Sequence, residues 1–255
     1  MSPRLAFAIE AAYRAGRMTL AHFNTGTAVE IKADATPVTV ADKGAERMIR
    51  EAIDKAFPGD AILGEEEGGD ESIPDRWVID PIDGTKSFIS GVPLYGTLLS
   101  YEKDGVPVLG VCYLPGLDEL LYAERGGGAF LNGRPIRVSQ KSNLAESVVC
   151  CGGHKGMIRA GRWPGFADLA ERTLASRTWN DAFGYALVAS GRVECMMDPA
   201  VSRWDLSAFH VIIPEAGGRL TDFNGNDIFA NGNRSLPAVA TNGVLHDEIL
   251  AAFQR

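Results

Sequence analysis

Any fold of this chain has to accommodate the stretch Trp77-Val78-Ile79-Asp80-Pro81-Ile82-Asp83-Gly84-Thr85. Trp77 to Ile79 is an apolar run of the length and composition of a buried strand. It delivers two carboxylates, Asp80 and Asp83, into a turn that Pro81 fixes. Buried carboxylates are costly unless positive charge meets them. The neighbouring donors are all oxygen, which points to a hard divalent cation. Mg2+ takes octahedral oxygen coordination and keeps waters that a phosphate can replace. The carbonyl of Ile82 can face the same ion. Gly84 allows close backbone approach, and a helical turn from Thr85 would offer N–H groups to a phosphate. The stretch therefore reads as a site for phosphoryl chemistry.

The same pattern of a strand followed by an acid recurs. Ala61 to Gly64 runs into Glu65-Glu66-Glu67, and Val193 to Met197 runs into Asp198-Pro199. Trp204 to Ala216 reads as one helix that ends at Pro214, with Asp205 in its first turn. Each acid alone reads as a surface group or a helix cap. Together, Glu65, Asp80, Asp83 and Asp205 are enough for a two-metal site. The rest of the acidic run, from Glu66 to Glu71, reads as a solvated loop.

Composition excludes several classes. The net charge of −8 comes with no basic patch, against a nucleic-acid surface. No apolar run is long enough to span a bilayer, and Glu10 interrupts the N-terminus where a signal peptide would stay apolar. A cytoplasmic protein with no membrane partner is expected. Cys112, Cys150, Cys151 and Cys195 lack metal spacing and read as reduced, buried thiols. His22, His154, His210 and His246 form no HExxH arrangement, which argues against zinc and a histidine triad.

The 255 residues suit a single domain, 1–255, of two fused halves, roughly 1–140 holding the metal and 141–255 completing the substrate site. The polar run from Ser139 to Asn143 is the seam. Helices are predicted over about Pro3 to Phe23 and after Asp42, and a polar loop over Asp34 to Pro37. Asp104-Gly105 between two apolar runs signals a hairpin. Gly126-Gly127-Gly128 reads as a turn in a meander, because no strand-to-helix transition frames it. Strands and helices intermix without a βαβ rhythm, which favours α+β or layered α/β.

Asp80-Pro81-Ile82-Asp83-Gly84-Thr85, with Glu65-Glu66 before it and Trp204-Asp205 after it, resembles the inositol monophosphatase family of metal-dependent phosphatases. The separated pieces occur in the family's order across most of the chain. The resemblance implies an αβαβα sandwich that binds two or three Mg2+ ions. Glu65, Asp80, Asp83, Asp205 and the carbonyl of Ile82 would be the ligands, with Asp80 bridging two metals. It also implies that Thr85 pairs with Asp42, which follows Val38-Thr39-Val40-Ala41, to position a metal-bound water. The catalytic candidates are thus Asp42, Thr85 and Glu65. On the residues alone, Thr85 lacks a basic partner and Asp42 reads as a cap on the following helix. Lys32 matches a family lysine near the first metal; otherwise it is a surface lysine. A homodimer and inhibition by lithium are further implications.

Three segments are similar to the histidinol-phosphatase branch: Lys86-Ser87-Phe88-Ile89, Trp179-Asn180-Asp181 to Tyr185, and Thr241-Asn242-Gly243 to His246. They imply L-histidinol phosphate as substrate. Its amine and imidazole call for acids, and Asp181 and Asp198 fall where the family contacts the substrate beyond its phosphate. Gly84, Thr85 and Asp205 complete the substrate-contacting set. Asp181 could instead cap the helix near Phe183. The alternatives are inositol 1-phosphate or 3'-phosphoadenosine 5'-phosphate as substrate, and a catalytically silent metal-dependent scaffold. The complete set of four carboxylates with Thr85 argues against the scaffold.

Overall fold

A computed structural model describes residues 1–33, 35–229 and 235–254. Asp34, which opens the predicted polar loop, lies outside the described residues.

The chain begins with α1 (Pro3–Thr19), a hairpin of β1 (Val29–Ile31) and β2 (Pro37–Thr39), and α2 (Val40–Ala56). A seven-stranded sheet follows, opening with β3 (Ala61–Gly64) and β4 (Arg76–Asp83). After the short α3 (Thr85–Ile89) come β5 (Gly96–Lys103), β6 (Val106–Leu114) and β7 (Glu119–Glu124). β8 (Ala129–Leu131) and β9 (Arg134–Ile136) finish the sheet. Its strands lie in chain order, antiparallel except for the parallel pair β3–β4.

The rest of the chain supplies β10 (Val148–Cys151), α4 (His154–Arg159), α5 (Trp163–Arg172), β11 (Ala175–Arg177) and α6 (Asp181–Ala189). β12 (Cys195–Val201), α7 (Arg203–Ser207), α8 (Phe209–Glu215), β13 (Arg219–Thr221), β14 (Leu236–Thr241) and α9 (His246–Ala251) complete it. The five strands form one mixed sheet in the order β11-β10-β12-β14-β13.

The two-residue alternation of the strands sorts most buried side chains into three layers, with a small fourth cluster of Ala41, Ile82, Phe88 and Tyr95 beside the end of β4. On β5, Leu99 and Tyr101 pack with Trp77, Ile79 and the apolar faces of α1 and α2. Leu98, on the opposite face, joins Cys112 and Leu121 against α6 and α8. On β12, Met196 faces that same middle layer, whereas Cys195 and Met197 pack outward against Met157, Phe166 and Ile249 of α4, α5 and α9. The layers are therefore αβαβα. Helix α6 is apolar almost all round (Ala182, Tyr185, Ala186, Leu187, Val188) because a sheet covers it on each side.

Two details differ from expectation. The helix predicted over Trp204 to Ala216 is two, α7 and α8, parted by Ala208, whose carbonyl accepts from both Val211 and Ile212 N–H. This tightening of the ladder has no signature in residue type. Pro214 sits in the last turn of α8. β12 continues through Asp198-Pro199, with a register shift before Val201 where Pro199 cannot donate. Among the described residues, no helix is long and apolar enough to cross a membrane.

Candidate active site

β4 is buried along its whole length, and its pairing with β5 shifts register between Asp80 and Asp83. Pro81, which lacks an N–H, sits in that irregularity, and the Thr97 hydroxyl donates to its carbonyl at 2.8 Å. Ile82 N–H donates to Asp80 Oδ1 at 3.1 Å. Glu65 reaches the same edge because its N–H continues the parallel pairing onto the Ile79 carbonyl at 3.1 Å. Asp205 arrives on α7 as part of a capping box, its Oδ2 accepting from Ser202 N–H at 2.8 Å.

One carboxylate oxygen from each of Asp80, Asp83 and Asp205 lies within 4.8 Å of the others. Burial, then repulsion from Glu65, Asp83 and Asp205, holds Asp80 well above the usual carboxylate range. Burial, then Asp181 and Asp205, does the same to Asp83. Asp205 is pushed up to about 7, mainly by burial. Asp83 Oδ2 is buried without a hydrogen-bond partner. An all-oxygen donor set with an orphaned carboxylate oxygen fits a hard divalent cation.

Glu65 stands beside this trio rather than inside it. Its Oε1 accepts from Lys32 Nζ at 2.8 Å, and Lys32 also donates to Glu66 at 2.9 Å. Burial alone would lower the Lys32 pKa, but the two glutamates raise it well above its ordinary value. Lys32 is thus part of the site's edge. Glu66, expected in a solvated loop, is instead a buried ion-pair partner, pushed up to about 7 by burial.

Asp42 caps α2 and also meets Thr85. Oδ2 accepts from Thr39 N–H (2.8 Å) and the Thr39 hydroxyl (2.6 Å), closing the cap of α2. Oδ1 remains for the Thr85 hydroxyl at 3.3 Å, which also lies 3.0 Å from the Ile82 carbonyl. Burial raises the Asp42 carboxyl despite the Thr39 bonds. Gly84 has φ +92°, and a Cβ there would stand 3.3 Å from Asp181 Oδ2 and from the Leu94 carbonyl. No side chain fits that corner without strain.

Asp181 begins α6 with φ +53°, after an Asn180 whose side chain makes no cap bond; burial pushes Asp181 up to about 6 although Lys86 and Asn180 oppose the shift. Asp198 accepts the Tyr185 hydroxyl at 2.9 Å and is pushed up to about 7 by burial and then by Asp181. Tyr185, Glu66 and Glu46 join the site without a motif of their own that marks them in the sequence. Buried Glu46 accepts from Glu66 N–H (2.7 Å), Glu67 N–H (3.0 Å) and Arg50 Nε (2.8 Å), bracing the loop that carries Glu65. Its one sequence signal is an acid next to Ala45 on the apolar face of α2.

The sequence matches the model of the inositol monophosphatase family over residues 1–255. A histidinol-phosphatase of Chlorobaculum parvum is 40% identical over 255 residues, covering 99% of this chain and 97% of that protein. A histidinol-phosphatase of Mycobacterium tuberculosis is 40% identical over 253 residues, covering 96% of each. Among solved structures, an IMPase of Thermotoga maritima shares the fold with a TM-score of 0.91 at 36% identity, covering 99% of this chain and 97% of that one. An acidic centre that could hold a hard cation and a match along the whole chain agree: the protein belongs to the inositol monophosphatase family and is a phosphoric monoester hydrolase.

Proposed function

We propose that the protein hydrolyses L-histidinol phosphate to L-histidinol and phosphate, with water as nucleophile and two or three Mg2+ ions at the Asp80 cluster. The observation that carries the substrate class is the second acidic group. Asp181, half-buried and pushed up to about 6, and Asp198, buried and pushed up to about 7, add charge beyond what the metal ligands need. A protonated amine or imidazole on the substrate would relieve that repulsion. The two histidinol-phosphatase relatives support the same choice.

Asp80, Asp83, Asp205, Glu65 and the Ile82 carbonyl would hold the metal. When bound, a divalent cation brings the pKa of water toward about 7 and neutralises phosphate charge. Asp42 fixes the Thr85 hydroxyl as a donor, which leaves Thr85 Oγ1 to accept a hydrogen bond from the attacking water and orient it. Glu65, held by Lys32, supplies a further proton acceptor at the edge of the cluster. Backbone N–H groups at Gly84 and Thr85 would be offered to the phosphate, and Asp205 would border the leaving group. Family membership supports a homodimer and inhibition by lithium, and four buried free cysteines support a reducing, cytoplasmic setting.

Phosphate release by the purified protein with Mg2+ tests this, comparing L-histidinol phosphate with myo-inositol 1-phosphate and 3'-phosphoadenosine 5'-phosphate. A preference of about 100-fold or more in kcat/KM is expected. Comparable rates on all three would discard the substrate, and no release with Mg2+ bound would restore the scaffold reading. Asp198→Ala should raise KM for the aminated ester by about 10-fold and leave a generic phosphate ester nearly unaffected. Equal changes on both would remove Asp198 from substrate contact.

A further inference from the structure

The phosphatase chemistry leaves one buried carboxylate of the seven-stranded sheet unused. Glu102 lies on β5, fully buried. Its Oε1 accepts from Arg203 Nε at 2.7 Å and from the Ser207 hydroxyl at 2.9 Å; Oε2 accepts from Arg76 Nε at 2.9 Å. Arg203 is the first residue of α7 and Ser207 the last. One carboxylate therefore holds both ends of the helix whose middle residue is Asp205. Further contacts complete the attachment: Ser100 donates to Ser207 at 2.8 Å, and Arg203 Nη2 donates to the Gly105 carbonyl at 2.6 Å. The Arg203 guanidinium also lies 4.3 Å from the centroid of the Phe229 ring.

A helix of five residues has too few hydrogen bonds to hold itself, and its capping box fixes only its first turn. The position of α7 on the sheet must come from tertiary bonds, and those converge on Glu102. A buried carboxylate with two arginines keeps its geometry strictly, because releasing any partner strands a charge away from water.

We propose that Glu102 is a positioning residue for the metal centre: by holding α7 against β5 it sets where Asp205 meets Mg2+, and so sets the affinity for the ion. The proposal rests on Asp205 being a metal ligand, and Asp205→Asn tests that premise separately.

The experiment is calorimetric titration of Mg2+ into the full chain, paired with the Mg2+ dependence of phosphate release. Glu102→Gln should weaken Mg2+ binding about 10-fold and shift the half-activating Mg2+ concentration in parallel, as loss of support behind a metal ligand does. At saturating Mg2+, KM for the phosphate ester should stay within about 2-fold of the parent. Ser207→Ala, which strands no charge, should weaken binding about 3-fold. Arg203→Lys should fall between the two, because it keeps the charge and loses the fork that reaches both Glu102 and Gly105. If Glu102→Gln does not fold, these last two variants decide the matter. A residue that only stabilised the sheet would lower Tm and leave Mg2+ affinity alone. Parental Mg2+ affinity in all folded variants, with Asp205→Asn impaired, would overturn the proposal. Parental affinity in Asp205→Asn as well would overturn the metal assignment and the proposal with it.

Discussion

The acidic cluster proposed to hold the metal draws its acids from two kinds of support. Asp80 and Asp83 come from β4, a strand buried throughout and paired on both sides, by β3 and β5. Glu65 and Asp205 come from a loop and a five-residue helix, each tied down by a buried glutamate of another element: Glu46 for the first, Glu102 for the second. The strand positions its acids chiefly through its backbone pairing with β5, with the Thr97 hydroxyl on the Pro81 carbonyl as an added bond inside the irregularity. The outer pair has one such backbone bond, Glu65 N–H to the Ile79 carbonyl, and otherwise relies on side-chain bonds that a single substitution can cut. Precision in this centre is thus built in at the middle and imported at the rim.

Substitutions can break or sharpen that contrast. Asp83→Asn should abolish turnover, by about 1,000-fold or more in kcat, with the fold intact. It should also raise the Tm of metal-free protein, since it removes a buried carboxylate that its neighbours repel. Wild-type activity in this variant would sink the metal assignment. Next in size, Glu46→Gln should raise the half-activating Mg2+ concentration about 10-fold by loosening the Glu65 loop. An unchanged activation curve would mean that Lys32 and the backbone bond to Ile79 suffice to hold Glu65. Thr97→Val cuts the bond to the Pro81 carbonyl in the β4 irregularity and should cost about 1 kcal/mol of stability. Its Mg2+ affinity should stay close to parental, because β4 is held by its own pairing. An effect larger than that of Glu46→Gln would erase the distinction between middle and rim.

The smallest effect is a shift of a few degrees in Tm with pH. Asp198 and Asp205 have folded pKa values of about 7, above those of unfolded carboxylates, so the folded state binds more protons. Their contribution is fully present below the unfolded pKa of about 4 and is lost as pH rises through about 7. Metal-free protein should therefore lose Tm between pH 5 and pH 8, on the order of a few degrees. Saturating Mg2+ should flatten or reverse that slope by taking the place of the protons at Asp205. Equal slopes with and without Mg2+ would mean that the ion binds away from these acids.

Strand and turn signals are local, and that determines what the sequence reveals. Asp80, Asp83 and Glu65 stand directly after apolar runs, so period and punctuation suffice to bring them to one sheet edge. The Asp104-Gly105 hairpin and the triple-glycine turn are legible for the same reason. The family match and the fold agree with the resemblance drawn from the spaced motifs. The supporting acids were not legible. Glu102 reads as part of a hairpin tip and Glu66 as part of an acidic loop, yet Glu102 meets Arg203 across 101 residues and Glu66 meets Lys32 across 34. Burial of an acid is decided by a partner far along the chain, and residue type carries no trace of it.

The middle layer has a consequence for how the protein comes into being. The inner face of the seven-stranded sheet, with Leu98, Cys112 and Leu121, is covered by α6 and α8. A ribosome that has delivered β9 has made every strand of that sheet, but none of its inner lid and not Asp205. At roughly 5–20 residues per second, the nascent chain carries a bare greasy surface for several seconds before α8 is synthesised. The arrival that seals this surface also brings the last acid to the cluster. An incompletely synthesised chain is therefore sticky and inert together, and chaperone demand and enzymatic competence should end within the same interval of translation.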